Sequence, residues 1–258
     1  MLKFLRALFK LRLKLDLAFR IDIVFNFLNQ LVYFIGVLLL FKAIYLNVNS
    51  IGGWDIGDMY ILLGTYFILT ELYSTTFRGG LLNLPETVKE GNLEVYLLKP
   101  VNTIIFLLLQ KVNVGGIWRI LPGLILLTYG LKIDSIHIGL NLLLYTISFV
   151  FSLLIYTLQA FCVSLLSFWF YEVNNLFYIY DDLIEFAKYP DSVYSGFIRK
   201  IFLSVIPVIV FSSFPARILT GSLDLKESFV FQIILLLVFL LTSLTLWETG
   251  LKKYQGRG

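Results

Sequence analysis

Asp134, Ser135 and His137, in the stretch KIDSIH, are the one place where an acid, a hydroxyl and the chain's single histidine stand together. Acyl-transfer chemistry uses such a trio, but it assembles the three groups from distant segments, not from one tight turn. The spacing therefore marks an ordinary turn. There is no H-E-x-x-H motif and no cluster of metal ligands, and the lone Cys162 lies in an apolar run, so a thiolate site and an internal disulfide are both excluded. The remaining groups with chemical potential are carboxylates in apolar surroundings: Glu71, and the set Asp181, Asp182 and Glu185. A charge at mid-bilayer costs about 2.5–3.5 kcal/mol on insertion scales, so such acids mark substrate or ion paths by default. Glu71 is either half of a structural pair with Lys111 or Arg119, or part of a path. Asp181 and Glu185, four apart, share a helical face. They wet a path if their helix crosses the membrane, and belong to a solvated loop if it does not.

The composition sets the frame for these acids. Of the 258 residues, 59% are hydrophobic and 15% charged, whereas about a quarter of a soluble domain is charged. The chain is an integral membrane protein, with room for about six crossings of roughly 20 residues each. The net charge of +4 does not indicate nucleic acid, because the basic residues flank apolar spans and form no single patch. Residues 1–20 are not expected to be a cleavable leader, since Lys3, Arg6, Lys10, Arg12 and Lys14 interrupt any apolar region. Lys3, Arg6, Lys10 and Lys14 share one helical face and Phe4, Leu5, Leu8, Leu11 and Leu15 the other, which predicts a helix lying in the headgroup plane among membrane lipids. Arg12 falls on the apolar side and would snorkel.

Hydropathy predicts spans at about 23–45, 57–77, 117–131 (the apolar part of a helix starting after Asn102), 139–170 and 228–248. Lys/Arg residues gather before the first span, in 78–111 and at the end of the chain. That bias places both termini and the segment 78–102 in the cytoplasm. Residues 172–227 admit two readings. Hydropathy alone selects 201–219 as the fifth span and leaves 172–200 as a cytoplasmic loop. The alternative makes 174–196 the fifth span and 197–221 a re-entrant hairpin from outside, which Pro207 and Pro215 favour because each removes a backbone donor. No internal repeat or low-complexity tract divides the chain, so it reads as a single membrane domain.

Within 78–102, KEGNLEVYLLKPVN carries more folding signals than a connector needs. Pro85 near a helix start and Gly91 as the stop predict a helix of under two turns. Asn92 is placed to cap a second, with Leu93, Tyr96 and Leu97 on one face, and Pro100 ends it. A folded segment with an apolar face suits docking of a soluble partner.

This stretch is similar to the Gly-x-Leu-(Asp/Glu)-x-x-Leu-Leu-(Lys/Arg)-Pro-(Val/Leu)-Asn signature of bacterial ABC exporter permeases, the membrane subunits of type-2 ABC exporters. FAKYPDSVYSGFIRKIFLSVIPVIVFSSFPARILTG, residues 186–221, resembles that family's run from a Tyr-Pro through an Ile-Pro to a Pro-Ala. WETGLKKYQGRG resembles its Trp-x-x-Gly-Leu-x-x-Tyr terminus. Asp191 departs from the pattern, standing where an apolar residue is expected. The resemblance implies an all-α protein of the bacterial cell membrane: an interfacial elbow helix, six spans, a cytoplasmic coupling helix between spans two and three, and an external hairpin between spans five and six. It also tips the choice toward 174–196 as the fifth span. Its implied partners are a separate ABC ATPase subunit and a second permease copy or homologous subunit.

No G-x-x-x-x-G-K-[ST] occurs, so ATP and Mg are expected on the partner and no cofactor on this chain. In the coupling segment, Glu86, Lys89, Glu90 and Glu94 would orient the partner, while Leu84, Val88, Leu93 and Tyr96 would supply buried contact. The rival classes are an ion- or proton-coupled transporter using the acids, which would usually show repeated halves, and a membrane enzyme built on Asp134 and His137.

Overall fold

The computed structural model describes Lys10, residues 20–134 and residues 139–254. The interfacial helix expected over 1–22 falls outside the described residues, apart from Lys10 and the start of the first helix, and so does His137. Among the described residues the chain is helical throughout. The only strand-like contact among the described residues is a bridge between Ile51 and Trp54 in a turn where Gly52 and Gly53 take φ of 59° and 85°.

Eleven α-helices follow in order among the described residues: α1 (Arg20–Tyr45), α2 (Ile56–Tyr73), α3 (Gly79–Lys89), α4 (Leu93–Leu97), α5 (Thr103–Leu109), α6 (Leu121–Ile133), α7 (Leu140–Leu165), α8 (Val173–Ile184), α9 (Gly196–Ser204), α10 (Val208–Thr220) and α11 (Leu225–Lys253). Four helical stretches are long and apolar enough to cross a membrane: Ile23–Tyr45, Val114–Ile133, Leu140–Phe168 and Leu225–Lys253. A fifth is counted if α9 and α10, bent by 84° at their junction, act as one unit.

Helix α2 lies at the centre, buried on nearly every side. It packs on α6 through glycines spaced seven apart on each helix. A Cβ on Gly64 would stand 2.6 Å from the Leu127 amide nitrogen, one on Gly123 2.9 Å from Ile68, and one on Gly130 2.8 Å from Ile61. Small residues let two membrane helices approach backbone to backbone, which is where packing energy comes from in lipid.

The helix expected to run unbroken from Asn102 to about 131 is instead three pieces. Asn102 caps α5, accepting from Ile105 N at 3.1 Å. The chain then breaks, because Asn113 accepts from Gly116 N and a 3-10 turn over Val114–Ile120 precedes Pro122 at the start of α6. Two glycines, an Asx-type cap and a proline outweigh the apolar pattern.

A single straight helix over 201–219 does not form. Pro207 stands at the 84° break between α9 and α10. The Val205 carbonyl, left at the break, is met by α7, where Gln159 donates to it at 2.9 Å, and Ser152 adds a second tie to the Val210 carbonyl at 2.9 Å. Irregular backbone at membrane depth needs such partners. The chain between Tyr171 and Asp191 runs the length of the bundle. Tyr171 lies under Lys89, beyond the C-terminal end of α2, while Asp191 bonds Trp54, just before its N-terminal end. Helix α8 and the 3-10 turn Glu185–Lys188 supply about 26 Å of that distance at 1.5 and 2.0 Å per residue.

Candidate functional site

Two regions gather the residues with functional potential. The first is a cavity of about 350 Å³ between α1, α2, α7 and α8, lined among others by Gln30, Tyr33, Tyr66, Glu71, Tyr73, Arg78, Tyr156, Asp181 and Glu185. The structure thus brings Glu71, Asp181 and Glu185 into the lining of one cavity and leaves Asp182 exposed outside it. Of the two bases considered for Glu71, Arg119 is the partner, its Nε 3.1 Å from Oε2. The two are close but not aligned for a hydrogen bond, so the attraction is chiefly Coulombic. Arg78 donates through Nε and Nη2 to one oxygen of Asp181, at 3.0 and 2.7 Å. Lys188 donates to Glu185 at 2.7 Å and to the Tyr33 hydroxyl at 3.2 Å. Each of these three acids therefore has a base beside it that offsets its charge. The Tyr73 hydroxyl is buried there without a hydrogen-bond partner.

The second region is the segment 78–102. It leaves α2 through a π-helical turn, Ser74–Arg78, and continues without a stop into α3. The helix has 11 residues where under two turns were expected, and Pro85 lies in its interior. Pro85 has no N–H for the Leu81 carbonyl four residues back. Ser164 of α7 donates to that carbonyl at 2.7 Å, so the helix passes through the proline with its acceptor satisfied. At the far end, Asn92 does not cap α4. Its side chain turns to Glu90, at 2.9 Å, and the Leu93 N–H goes to the Tyr254 hydroxyl, at 3.2 Å. Lys89 lies 4.0 Å over the Tyr171 ring and Lys99 4.2 Å over Phe106.

The expected apolar anchors are placed differently from the charges. Leu84 and Leu93 are buried in this chain's own core, and Val88 and Tyr96 are half-buried against it. A short amphipathic helix beside a bundle covers its apolar side with the nearest core, which here is its own. Glu86, Lys89, Glu90 and Glu94 face solvent, as do Val95, Leu97 and Leu98, Leu98 being 85% exposed.

A family-level sequence comparison matches residues 31–258 to the group described as ABC-2 family transporter protein. The chain belongs to that family. It is a multi-pass membrane permease component of an ABC transporter, a transport part and not itself a catalyst, in a family whose permeases work with an ABC ATPase. No curated protein and no solved structure matches it.

Two polar clusters of this ABC-2 family permease were marked in the sequence only by the odd position of Asp191 and by the turn acid Asp134. Asp191, buried, accepts from Trp54 Nε1 at 3.1 Å and pairs with Arg217 at 2.7 Å, with Arg199 at 3.5 Å from its other oxygen. The Arg217 guanidinium lies 4.6 Å over the Trp54 ring. Nearby, carboxylate oxygens of Asp55, Asp58 and Asp134 lie within 4.8 Å of one another. Burial and then the charges of Asp55 and Asp58 push the Asp134 carboxyl up to about 6. These groups meet only in three dimensions.

Proposed function

We propose that this chain is the membrane-spanning permease subunit of an ATP-driven exporter, that it pairs with a second permease subunit, and that a separate ATPase drives it through residues 78–102. The observation that carries the reading is the build of that segment. It is fixed on its inner side by Leu84, Leu93, Ser164 and Tyr254, and it presents Glu86, Lys89, Glu90, Glu94 and Leu98 outward. A docking patch needs a few apolar anchors within a charged rim, and Leu98 among these charges has that form.

In this reading the chain crosses six times, α8 with its following 3-10 turn being the fifth crossing and α9–α10 a hairpin entering from outside. The Lys/Arg bias puts the coupling segment and both termini in the cytoplasm. ATP and Mg are held by the ATPase. Closure of the ATPase pushes α3 and α4, and the close α2–α6 pair carries that motion to the cavity holding Glu71 and Asp181, which forms part of the substrate path. The paired acids there suit a polar cargo.

Affinity purification of the tagged chain from its native membranes tests the reading. A soluble ATPase should accompany it. The triple variant E90K/E94K/L98D, altered only at exposed positions, should insert normally yet lose the ATPase. Retention of the ATPase by that variant, or vesicle transport that persists without ATP, overturns the proposal.

A further inference from the structure

The first N–H groups of a helix have no partner within it, and Leu93, which opens α4, is fully buried. Its N–H is met by a residue 161 positions away, Tyr254, at the end of α11. Tyr254 is itself held in place. Its amide bonds the Gly250 carbonyl at 2.9 Å, and its ring stands edge-on to Phe168 at 6.3 Å. Phe168 packs on Trp247 at 6.0 Å and rests where a Cβ on Gly250 would come within 2.2 Å of it. Three elements therefore meet at one joint: the coupling segment, the turn after α7 and the last turn of α11.

Resting on the proposed role of residues 78–102, we propose that Tyr254 is a positioning residue that ties α11 to the coupling segment. ATP-driven displacement of the segment then moves the last span as well as α2 and α6. The hydroxyl suits this role because it accepts from the buried first N–H of α4, a donor for which the helix itself offers no acceptor. Movement of α4 without Tyr254 would leave that donor buried and unmet.

The test uses the full-length chain with its co-purified ATPase in lipid nanodiscs. Y254F keeps the ring and removes the hydroxyl; G250A disturbs the joint from the other side by pressing on Phe168. Hydrogen exchange at the Leu93 amide should quicken roughly five- to ten-fold in Y254F, as expected for loss of one hydrogen bond. Spin-label pairs on a C162A background read the motion: N47C/K226C for α11 and N47C/K132C for α6. In the parent both distances should shift on ATP. In Y254F and G250A the α6 pair should still shift while the α11 pair stays at its resting distance. The tie is overturned if Leu93 exchange is unchanged, if the α11 pair still shifts in both variants, if it never shifts in the parent, or if both pairs fall still together, the mark of general damage. Absence of any co-purifying ATPase overturns the reading of the segment itself, and the proposal with it.

Discussion

Trp54 donates its indole N–H to Asp191 at 3.1 Å across 137 positions of sequence. The bond fixes the turn after α1 to the segment before α9, so these two loops share one end of the bundle. It also accounts for an acid where the family pattern leads one to expect an apolar residue: Asp191 gathers Trp54, Arg217 and Arg199.

Replacing Asp191 should therefore be costly. D191N leaves Arg217 without its ion partner in a half-buried setting, and a buried charge-assisted bond is worth about 1.5–3 kcal/mol. W54F also removes a bond to the carboxylate, but it leaves Asp191 paired with both Arg217 and Arg199, so it should cost less than D191N, about 1.5–3 kcal/mol. Thermal unfolding of the purified protein in detergent should show D191N melting well below W54F. Equal melting temperatures would refute the central role of Asp191.

The Glu71–Arg119 pair should be asymmetric. Glu71 is the more buried partner, its side chain 7% exposed against 16% for Arg119. R119Q strands a carboxylate in the bundle, whereas E71Q strands a base that reaches closer to the surface. Removing one member of a buried pair costs more than removing both. E71Q/R119Q should thus melt above R119Q, with a coupling of about 0.5–3 kcal/mol in a double-mutant cycle. Additive effects would mean the two charges do not sense one another.

Ser164 should matter only because of Pro85. S164A leaves the Leu81 carbonyl buried and unmet, at a cost of about 1–3 kcal/mol. P85A returns an N–H to that carbonyl, so S164A should be nearly neutral in the P85A background. Melting of the two single variants and the double variant decides it.

Asp134 makes stability depend on pH. Its folded value of about 6 lies above the ordinary 3.8, so the folded chain binds the proton more tightly than the unfolded one. Protonation therefore adds stability that is complete below about 3.8, declines as pH rises, and is gone above about 6. D134N lifts the repulsion from Asp55 and Asp58. It should raise the melting temperature relative to the parent at pH 7.5 and leave it close to the parent at pH 4. A constant difference between the two proteins over that range would exclude Asp134 as the source.

Much of this was legible in the sequence, and the boundary follows physical lines. Long apolar helices announce themselves by composition, and the breaks at Gly91 and Asn102 follow from local backbone preferences. Glu71 was visible as a buried acid, but its choice of Arg119 over Lys111 was not. The helix phase needed to choose between them is reset by the breaks at 110–120. Pro85 read as a helix start because a proline's neighbours in sequence could not reveal Ser164, 79 positions on. Asn92 had the residue type of a cap, yet its side chain donates to Glu90, and the first N–H of α4 goes to a hydroxyl from the far end of the chain. Leu84 and Leu93 were recognised as apolar anchors, while their attachment to this chain's own core depended on packing that no local pattern encodes.

The π-helical turn at Ser74–Arg78 is where the chain can change length without changing face. A π turn closes its loop over one residue more than an α turn does, so the surplus is absorbed inside a single widened turn. Deleting one residue there would restore an ordinary α turn and leave Leu81 and Leu84 pointing into the core almost as before. The same deletion within α3 has no such slack and would rotate the rest of the helix by about 100°, carrying its buried side outward. The widened turn is thus a splice point, tolerant of an indel that its neighbours are not.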